Sequence, residues 1–188
     1  MSRPAPVAPT GPLQIDVIEL PNGGALGLCH LPGRRGIDAR GRAWARDLDA
    51  DLDALAAWRA AVLLSLVETA EFARLGVPGF AAAVRLRPYA WHHVPIPDMR
   101  APQVASLTAW QQAGGAILEA LDAGRRVAIH CAAGLGRTGT IAALLLGAFG
   151  LPGDEAIRRV RAARPGTLET PEQESFVREP GSWRLRAP

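Results

Sequence analysis

One stretch constrains this chain more than any other. A short apolar run, Val127-Ala128-Ile129, enters a glycine-rich turn, and a second apolar run, Ile141-Ala142-Ala143-Leu144-Leu145-Leu146, follows it. Between them stand His130-Cys131-Ala132-Ala133-Gly134-Leu135-Gly136-Arg137-Thr138-Gly139-Thr140. The pattern predicts a strand from Val127 to His130, a loop, and a helix from Thr138 to Phe149 closed by Gly150-Leu151-Pro152-Gly153. Such a loop directs backbone N–H groups and the positive end of a helix at one point, which makes it an anion site.

The rest of the chain supplies the surroundings of that unit. Leu13 to Leu20 alternates like a strand, Pro21-Asn22-Gly23-Gly24 is a turn, and Ala25 to Leu31 is the returning strand. The arginine- and glycine-rich segment from Pro32 to Asp47 is expected to be a surface loop. Leu48, Leu52, Leu55 and Ala56 fall at helical spacing, with Asp47 and Asp49 at the positive end. Ala61 to Val67 reads as a buried strand and Glu68 to Leu75 as a short helix. Trp91 to Pro97 is extended, because each proline pushes its predecessor toward β geometry. Helices are expected from Ser106 to Ala123, from Asp154 to Ala163 and from Pro171, the last capped by Thr170. Strands alternating with helices predict an α/β fold, a central, mostly parallel twisted sheet with helices on both faces. The expected organisation is a proline-rich tail over 1–12, one domain over 13–180 and a C-terminal tail over 181–188.

Composition narrows the class. At 188 residues the length suits one domain with a real core. No apolar run approaches the roughly 18 residues of a spanning helix, and the N-terminus lacks a signal peptide's apolar stretch, so no membrane and a cytoplasmic location are expected. All 21 basic residues are arginine, which fits the coding bias of a GC-rich, bacterial genome. The formal charge of +3 is spread without a basic stripe, so no nucleic-acid partner is expected. Two cysteines and four scattered histidines give neither a disulfide scaffold nor a metal motif; no metal and no cofactor are expected. The five tryptophans read as packing residues.

The chemistry lies in the loop. Cys131 is the candidate nucleophile; a free thiol is mostly protonated at neutral pH, so the loop amides, the helix end and Arg137 must favour its thiolate. Arg137 carries a planar fork suited to two phosphoryl oxygens. Thr138 is placed to donate its hydroxyl to the sulfur, and His130 to position the thiol by hydrogen bonding. Ala132, Ala133, Gly134, Leu135 and Gly136 supply the phosphate-binding backbone, with Gly134, Gly136 and Gly139 removing side chains where the chain approaches phosphate or needs positive φ.

Cysteine, five residues, arginine and a hydroxyl residue make the chain resemble the cysteine-dependent protein phosphatases, the dual-specificity and protein tyrosine phosphatase superfamily. The loop is most similar to the compact kinase-associated and cell-division-cycle types. That resemblance implies a catalytic acid on an upstream loop, and Asp98, after Val94-Pro95-Ile96-Pro97, stands there. It also implies a glutamine that places the hydrolytic water, which Gln173 matches within Arg164 to Val177. Related phosphoinositide enzymes carry lysines inside the loop; Ala132 and Leu135 are neutral, against a highly charged inositol head group. The implied substrate is a phosphorylated protein or a small phosphate ester, and the implied state a monomer. Two alternatives stand beside it: a phosphate-binding module without turnover, disfavoured by the full Cys, Asp, Arg and Gln set, and a persulfide-carrying sulfurtransferase, disfavoured by the arginine followed by threonine and by the acid loop. His92 and His93 flank the acid loop, one read as core and the other as solvent-facing. Glu68 and Glu71 follow a strand end near the active face, where they are read as a solvated helix start ahead of a role in shaping specificity, and Cys29 is read as a bystander able to pair with an oxidised Cys131 only if the two are close.

Overall fold

The computed structural model describes residues 11–39 and 41–179. Residues 1–10 of the expected tail over 1–12, the tail over 181–188 and Trp183 lie outside the described residues.

Seven strands and seven helices occur in the order β1 (Asp16–Glu19), β2 (Ala25–Cys29), β3 (Arg35–Ile37), β4 (Ala43–Ala45), α1 (Leu48–Ala57), β5 (Ala60–Ser65), α2 (Thr69–Arg74), α3 (Phe80–Val84), β6 (Ala90–His93), α4 (Val104–Asp122), β7 (Arg126–His130), α5 (Gly136–Ala148), α6 (Gly153–Ala163) and α7 (Pro171–Arg178) among the described residues. Five strands form one sheet in the order β1-β2-β7-β5-β6. Only the β1–β2 pair is antiparallel; β2, β7, β5 and β6 run parallel. The strand leading into the glycine loop, β7, therefore occupies the centre, and Val127 to His130 are fully buried. Near-continuous apolar runs are what a parallel strand covered on both faces requires. Helix α4 packs on β5, β6 and β7, while α5 packs on β2 and β7 and carries α6 and α7 on its far side. Every residue of α5 from Gly136 to Leu146 is buried, which makes it the central helix.

The loop and its helix follow the sequence expectation, but the helix begins two residues early, at Gly136, and so includes Arg137. Asp47 caps α1, accepting from Ala50 N at 2.8 Å, and Thr170 caps α7, accepting from Gln173 N at 3.2 Å. Two elements depart from expectation. The short helix α3 stands where none is predicted; five residues are too few for a periodic signal. The expected surface loop over 32–47 holds a β3–β4 hairpin, with Ile37 opposite Ala43, and it buries Arg34, Trp44 and Arg46. Arg46 meets Asp51 of α1 through Nε at 2.8 Å and Nη2 at 2.6 Å, and Asp51 also accepts from Gly33 N at 2.9 Å. Three-residue strands carry no readable alternation, and a buried arginine looks like a solvated one until its carboxylate is found 5 residues away.

Candidate active site

Cys131 follows the last residue of β7, and Gly134 N–H points at its sulfur at 3.2 Å. The loop carbonyls around it are held outward, one by one. His130 O accepts from Leu66 N (3.0 Å), and Cys131 O faces His130 Nδ1 (3.2 Å). Ala132 O accepts from Leu31 N (3.3 Å) and Arg34 Nη1 (3.0 Å). Arg164 holds two more, Ala133 O through Nη2 at 3.0 Å and Gly134 O through Nε at 2.7 Å, and its Nη1 pairs with Asp16 at 2.5 Å. Leu135 O accepts from Gly139 N (2.8 Å) and Gly136 O from the Thr140 hydroxyl (2.9 Å). Arg34 and Arg164 belong to the site, then, although neither was singled out from the sequence; nothing local marks an arginine that serves a loop 98 or 30 residues away.

The loop glycines divide by purpose. Gly134 sits at φ +73°, and a Cβ there would stand 2.2 Å from the Cys29 carbonyl. At Gly136 a Cβ would lie 2.7 Å from a Glu169 carboxylate oxygen and 2.8 Å from Gln173 Nε2, and at Gly139 it would meet Thr167 at 2.7 Å. Those two glycines make room for the segment after α6. Glu169 uses the space to accept from Gly136 N at 2.9 Å.

Arg137 is 1% exposed and is tied down through both terminal nitrogens. Its Nη1 meets Glu71 Oε2 at 2.5 Å and Ile96 O at 3.0 Å; its Nη2 meets Glu71 Oε1 at 3.2 Å and Asp98 Oδ1 at 2.8 Å. Burial alone would lower the Arg137 pKa; the Glu71 hydrogen bond, with the charges of Cys131, Glu71 and Asp98, raises it above its ordinary value. Burial likewise pushes the Glu71 carboxyl up, and the bond and charge of Arg137 outweigh it, leaving Glu71 below the usual carboxylate range. The reading of Glu71 as a solvated helix start is corrected: it is 3% exposed and braces the loop arginine.

Asp98 projects from the proline loop with a half-exposed side chain. Ile96 O on Arg137, Pro95 O on the Ser106 hydroxyl (2.7 Å) and Ile96 N on Leu66 O (3.0 Å) hold that loop against the sheet. Gln173 lies wholly buried beside Gly136. Its Oε1 accepts from Glu169 N (2.8 Å) and Thr170 N (3.3 Å), and its Nε2 donates to Arg100 O (3.2 Å), two residues past Asp98. Thr138 Oγ1 and Arg137 Nε are buried without a hydrogen-bond partner. Orphaned donors of this kind at an anion loop fit groups that find their partner in the sulfur or the ligand. His92 and His93 are both half-buried; His93 Nε2 meets Val67 O at 2.7 Å. Cys29, opposite His130 in the β2–β7 register, is buried, and burial pushes its thiol up to about 12.

A cleft of about 570 Å³ opens over Cys131, walled by Ala132, Leu135 and Asp98 on one side and by Arg34, Arg42 and Trp44 of the hairpin on the other. The Arg34 guanidinium lies 4.5 Å from the Trp44 ring centre and that of Arg42 lies 5.9 Å away. Among the described residues neither arginine forms an ion pair. The positive charge absent from Ala132 and Leu135 thus reaches the cleft from a separate hairpin.

A thiol, an arginine and an acid converging on an anion loop at the end of a central parallel strand define the class of cysteine-dependent phosphatases. Comparison agrees: the model of the Swiss Army Knife protein, DSP-PTPase phosphatase domain, matches residues 45–177, and the chain belongs to that family. Cyclin-dependent kinase inhibitor 3 of Sus scrofa is 30% identical over 161 residues, 82% of this chain and 70% of the relative. Protein tyrosine phosphatase domain-containing protein 1 of Mus musculus is 48% identical over 77 residues, so this chain matches 10% of that relative's length. Among solved structures, kinase associated phosphatase with its catalytic cysteine changed to serine superposes with TM-score 0.81 at 24% identity over 95% of this chain and 99% of that one. Tk-PTP in its active form gives 0.64 at 29% identity over 88% and 95%.

Proposed function

We propose that the protein hydrolyses phosphomonoesters on phosphorylated proteins, phosphotyrosine or phosphoserine and phosphothreonine, through a cysteinyl-phosphate intermediate. The observation that carries this reading is Arg137 bridging Glu71 and Asp98 beside a thiol that already accepts a loop amide.

In the first step the Cys131 thiolate attacks phosphorus in line; an S–P bond forms, the P–O bond breaks, and Asp98 gives its proton to the departing oxygen. Arg137 and the loop amides hold the equatorial oxygens and stabilise the charge of the transition state. In the second step a water attacks phosphorus, Asp98 takes its proton, and the S–P bond breaks with the Thr138 hydroxyl donating to the leaving sulfur. Gln173 has one Nε2 hydrogen beyond its bond to Arg100 with which to hold that water. The backbone of Ala132, Ala133, Gly134 and Leu135 forms the phosphate cradle and His130 positions the thiol; Gly136, expected in the same cradle, instead gives its N–H to the Glu169 carboxylate. The phosphatase names of the relatives support protein substrates. We further propose a monomeric domain over 13–180 in the cytoplasm of a bacterium; the lysine-free composition supports the bacterial source, and among the described residues no helix is long and apolar enough to cross a membrane.

The test is hydrolysis of para-nitrophenyl phosphate in EDTA by the wild type and Cys131→Ser. Turnover by the wild type and none by the variant is expected. An inactive wild type would overturn the phosphatase reading.

A further inference from the structure

Behind the catalytic loop, at the sheet's core, a row of hydrogen bonds runs away from Cys131. Ser65, the last residue of β5, is fully buried and stands opposite His130 on one side and His93 on the other. Its Oγ lies 2.6 Å from His130 Nε2 and accepts from Trp91 Nε1 at 2.9 Å. His130 Nδ1 in turn lies 3.2 Å from Cys131 O.

The hydrogens in this row have one consistent placement. An indole N–H can only donate, so Ser65 accepts from Trp91. A carbonyl can only accept, so the proton of His130 sits on Nδ1. Burial pulls His130 down to about 3, so the ring carries a single proton and Nε2 is an acceptor. The Ser65 O–H must then donate to Nε2. Trp91 N–H, Ser65 O–H and His130 N–H all point the same way, toward the peptide that joins Cys131 to Ala132. Aligned dipoles in a dry core polarise one another.

We propose that Ser65 and Trp91 are positioning residues for the nucleophile, which lock His130 in one tautomer and through it hold the Cys131 carbonyl outward so that the following amides face the sulfur. The proposal rests on Cys131 being the nucleophile. Its geometric basis extends beyond the motif, because the hydroxyl comes from β5 and the indole from the edge strand β6. The Trp91 ring stacks on His93 with an 11° interplanar angle at 5.9 Å, and it walls a separate cavity of about 410 Å³ lined also by Arg85, Tyr89 and Gln112. None of those lining residues belongs to the catalytic cleft.

The experiment combines an activity-independent readout with kinetics, on the full chain. Long-range ¹H–¹⁵N spectra of the wild type should show His130 protonated at Nδ1 and bare at Nε2. In Ser65→Ala the Nε2 signal should move as it loses its donor, kcat for para-nitrophenyl phosphate should fall about ten-fold with KM within about two-fold, and alkylation of Cys131 by iodoacetamide should slow in parallel. Ser65→Thr, which keeps the hydroxyl, should recover the spectrum and most of kcat. Trp91→Phe keeps the stacked ring and should give a smaller loss in the same direction. A wild-type His130 protonated at Nε2, or a Ser65→Ala protein less stable but unchanged in kcat and alkylation well below its Tm, would overturn the proposal. Should the alanine variant fail to fold, the Trp91→Phe kinetics and the wild-type spectrum decide alone. A wild type with the expected tautomer but no turnover would sink the phosphatase reading and leave the hydrogen-bond row standing.

Discussion

Glu71→Gln removes one charge and exchanges one oxygen for NH₂, at nearly constant shape. In the folded protein the Glu71 carboxylate is saturated: Oε2 accepts from Arg137 Nη1 (2.5 Å) and Glu68 N (2.8 Å), Oε1 from Arg137 Nη2 (3.2 Å) and Arg74 Nη2 (3.0 Å). A glutamine has one acceptor, so whichever way its amide turns, an NH₂ confronts two of these four donors. Two charge-assisted bonds at about 1.5–3 kcal/mol each are lost, in line with the 3–5 kcal/mol typical of breaking a buried ion pair. Exposed Arg74 contributes little of this, because its side chain is 68% exposed; Arg74→Gln should cost under about 1 kcal/mol and serves as the control. Urea unfolding of the three proteins measures the stability term. Arg137 would also lose the partner that fixes the plane of its fork, so kcat/KM should fall about 10- to 100-fold, one to two factors of 1.4 kcal/mol. A Glu71→Gln protein within about 1 kcal/mol of wild type and within two-fold in kcat/KM would refute the bracing role.

Asp98→Asn should lower kcat on an unactivated phosphopeptide by about 10²–10⁴ while vanadate still binds; an unchanged kcat would remove Asp98 as the acid. Gly134→Ala puts a Cβ 2.2 Å from a β2 carbonyl at positive φ, and should cost at least about 3 kcal/mol in a urea titration; a near-neutral result would mean that the loop rearranges freely. Acid should destabilise the protein from neutral pH downward. Burial holds His30 near 4 and His130 near 3 against an ordinary 6.5, so below pH 6.5 the unfolded chain binds protons that the folded one refuses. Stability is then complete above 6.5 and falls by up to about 1.4 kcal/mol per pH unit for each histidine, a loss on the order of 4 kcal/mol by pH 5. A flat urea midpoint from pH 7 to 5 would contradict the burial of these imidazoles.

What could be read from the sequence was whatever is written at short range. The strand, turn and helix around Cys131 are contiguous, and the five residues between Cys131 and Arg137 are fixed by the shape of an anion loop, so the family followed from one segment, while the fold class followed from the alternation of strands and helices along the chain. Asp98 entered as the candidate acid through the family resemblance, and what the chain itself shows there is a loop stiffened by Pro95 and Pro97. Glu71 was misread because its reason for being buried lies 66 residues downstream, and a glutamate opening a short helix normally faces water. The one local hint was the pairing of Glu68 with Glu71 as a capping box, which turns the second carboxylate back toward the helix start. The hairpin over 35–45 was missed on different grounds. Its arginines and glycines spell a loop, and its strands are shorter than the period that would reveal them.

The residues that the sequence left unmarked or that were misread from it share a property that bears on the chemistry. Arg34, Arg164 and Glu71 never touch the motif in sequence, yet each holds a group that the motif presents: carbonyls for the two arginines, the guanidinium for the glutamate. An anion loop needs its N–H groups converged before the anion arrives, since donors that must reorganise during the reaction stabilise the transition state less. Seven consecutive carbonyls would naturally compete for that inward space, and loop backbone by itself has no reason to send them all out. Outward partners supply the reason, and arginine suits the task because one guanidinium can hold two adjacent carbonyls, as Arg164 does at Ala133 and Gly134. The motif thus specifies which atoms react, while the distant residues set how well they are held. Variants at Arg164 should accordingly weaken vanadate binding with little change in which substrates are accepted, whereas variants at Arg42, which faces the cleft and holds no carbonyl of the loop, should do the reverse. Equal loss of vanadate affinity at both positions would show that the hairpin, too, shapes the loop.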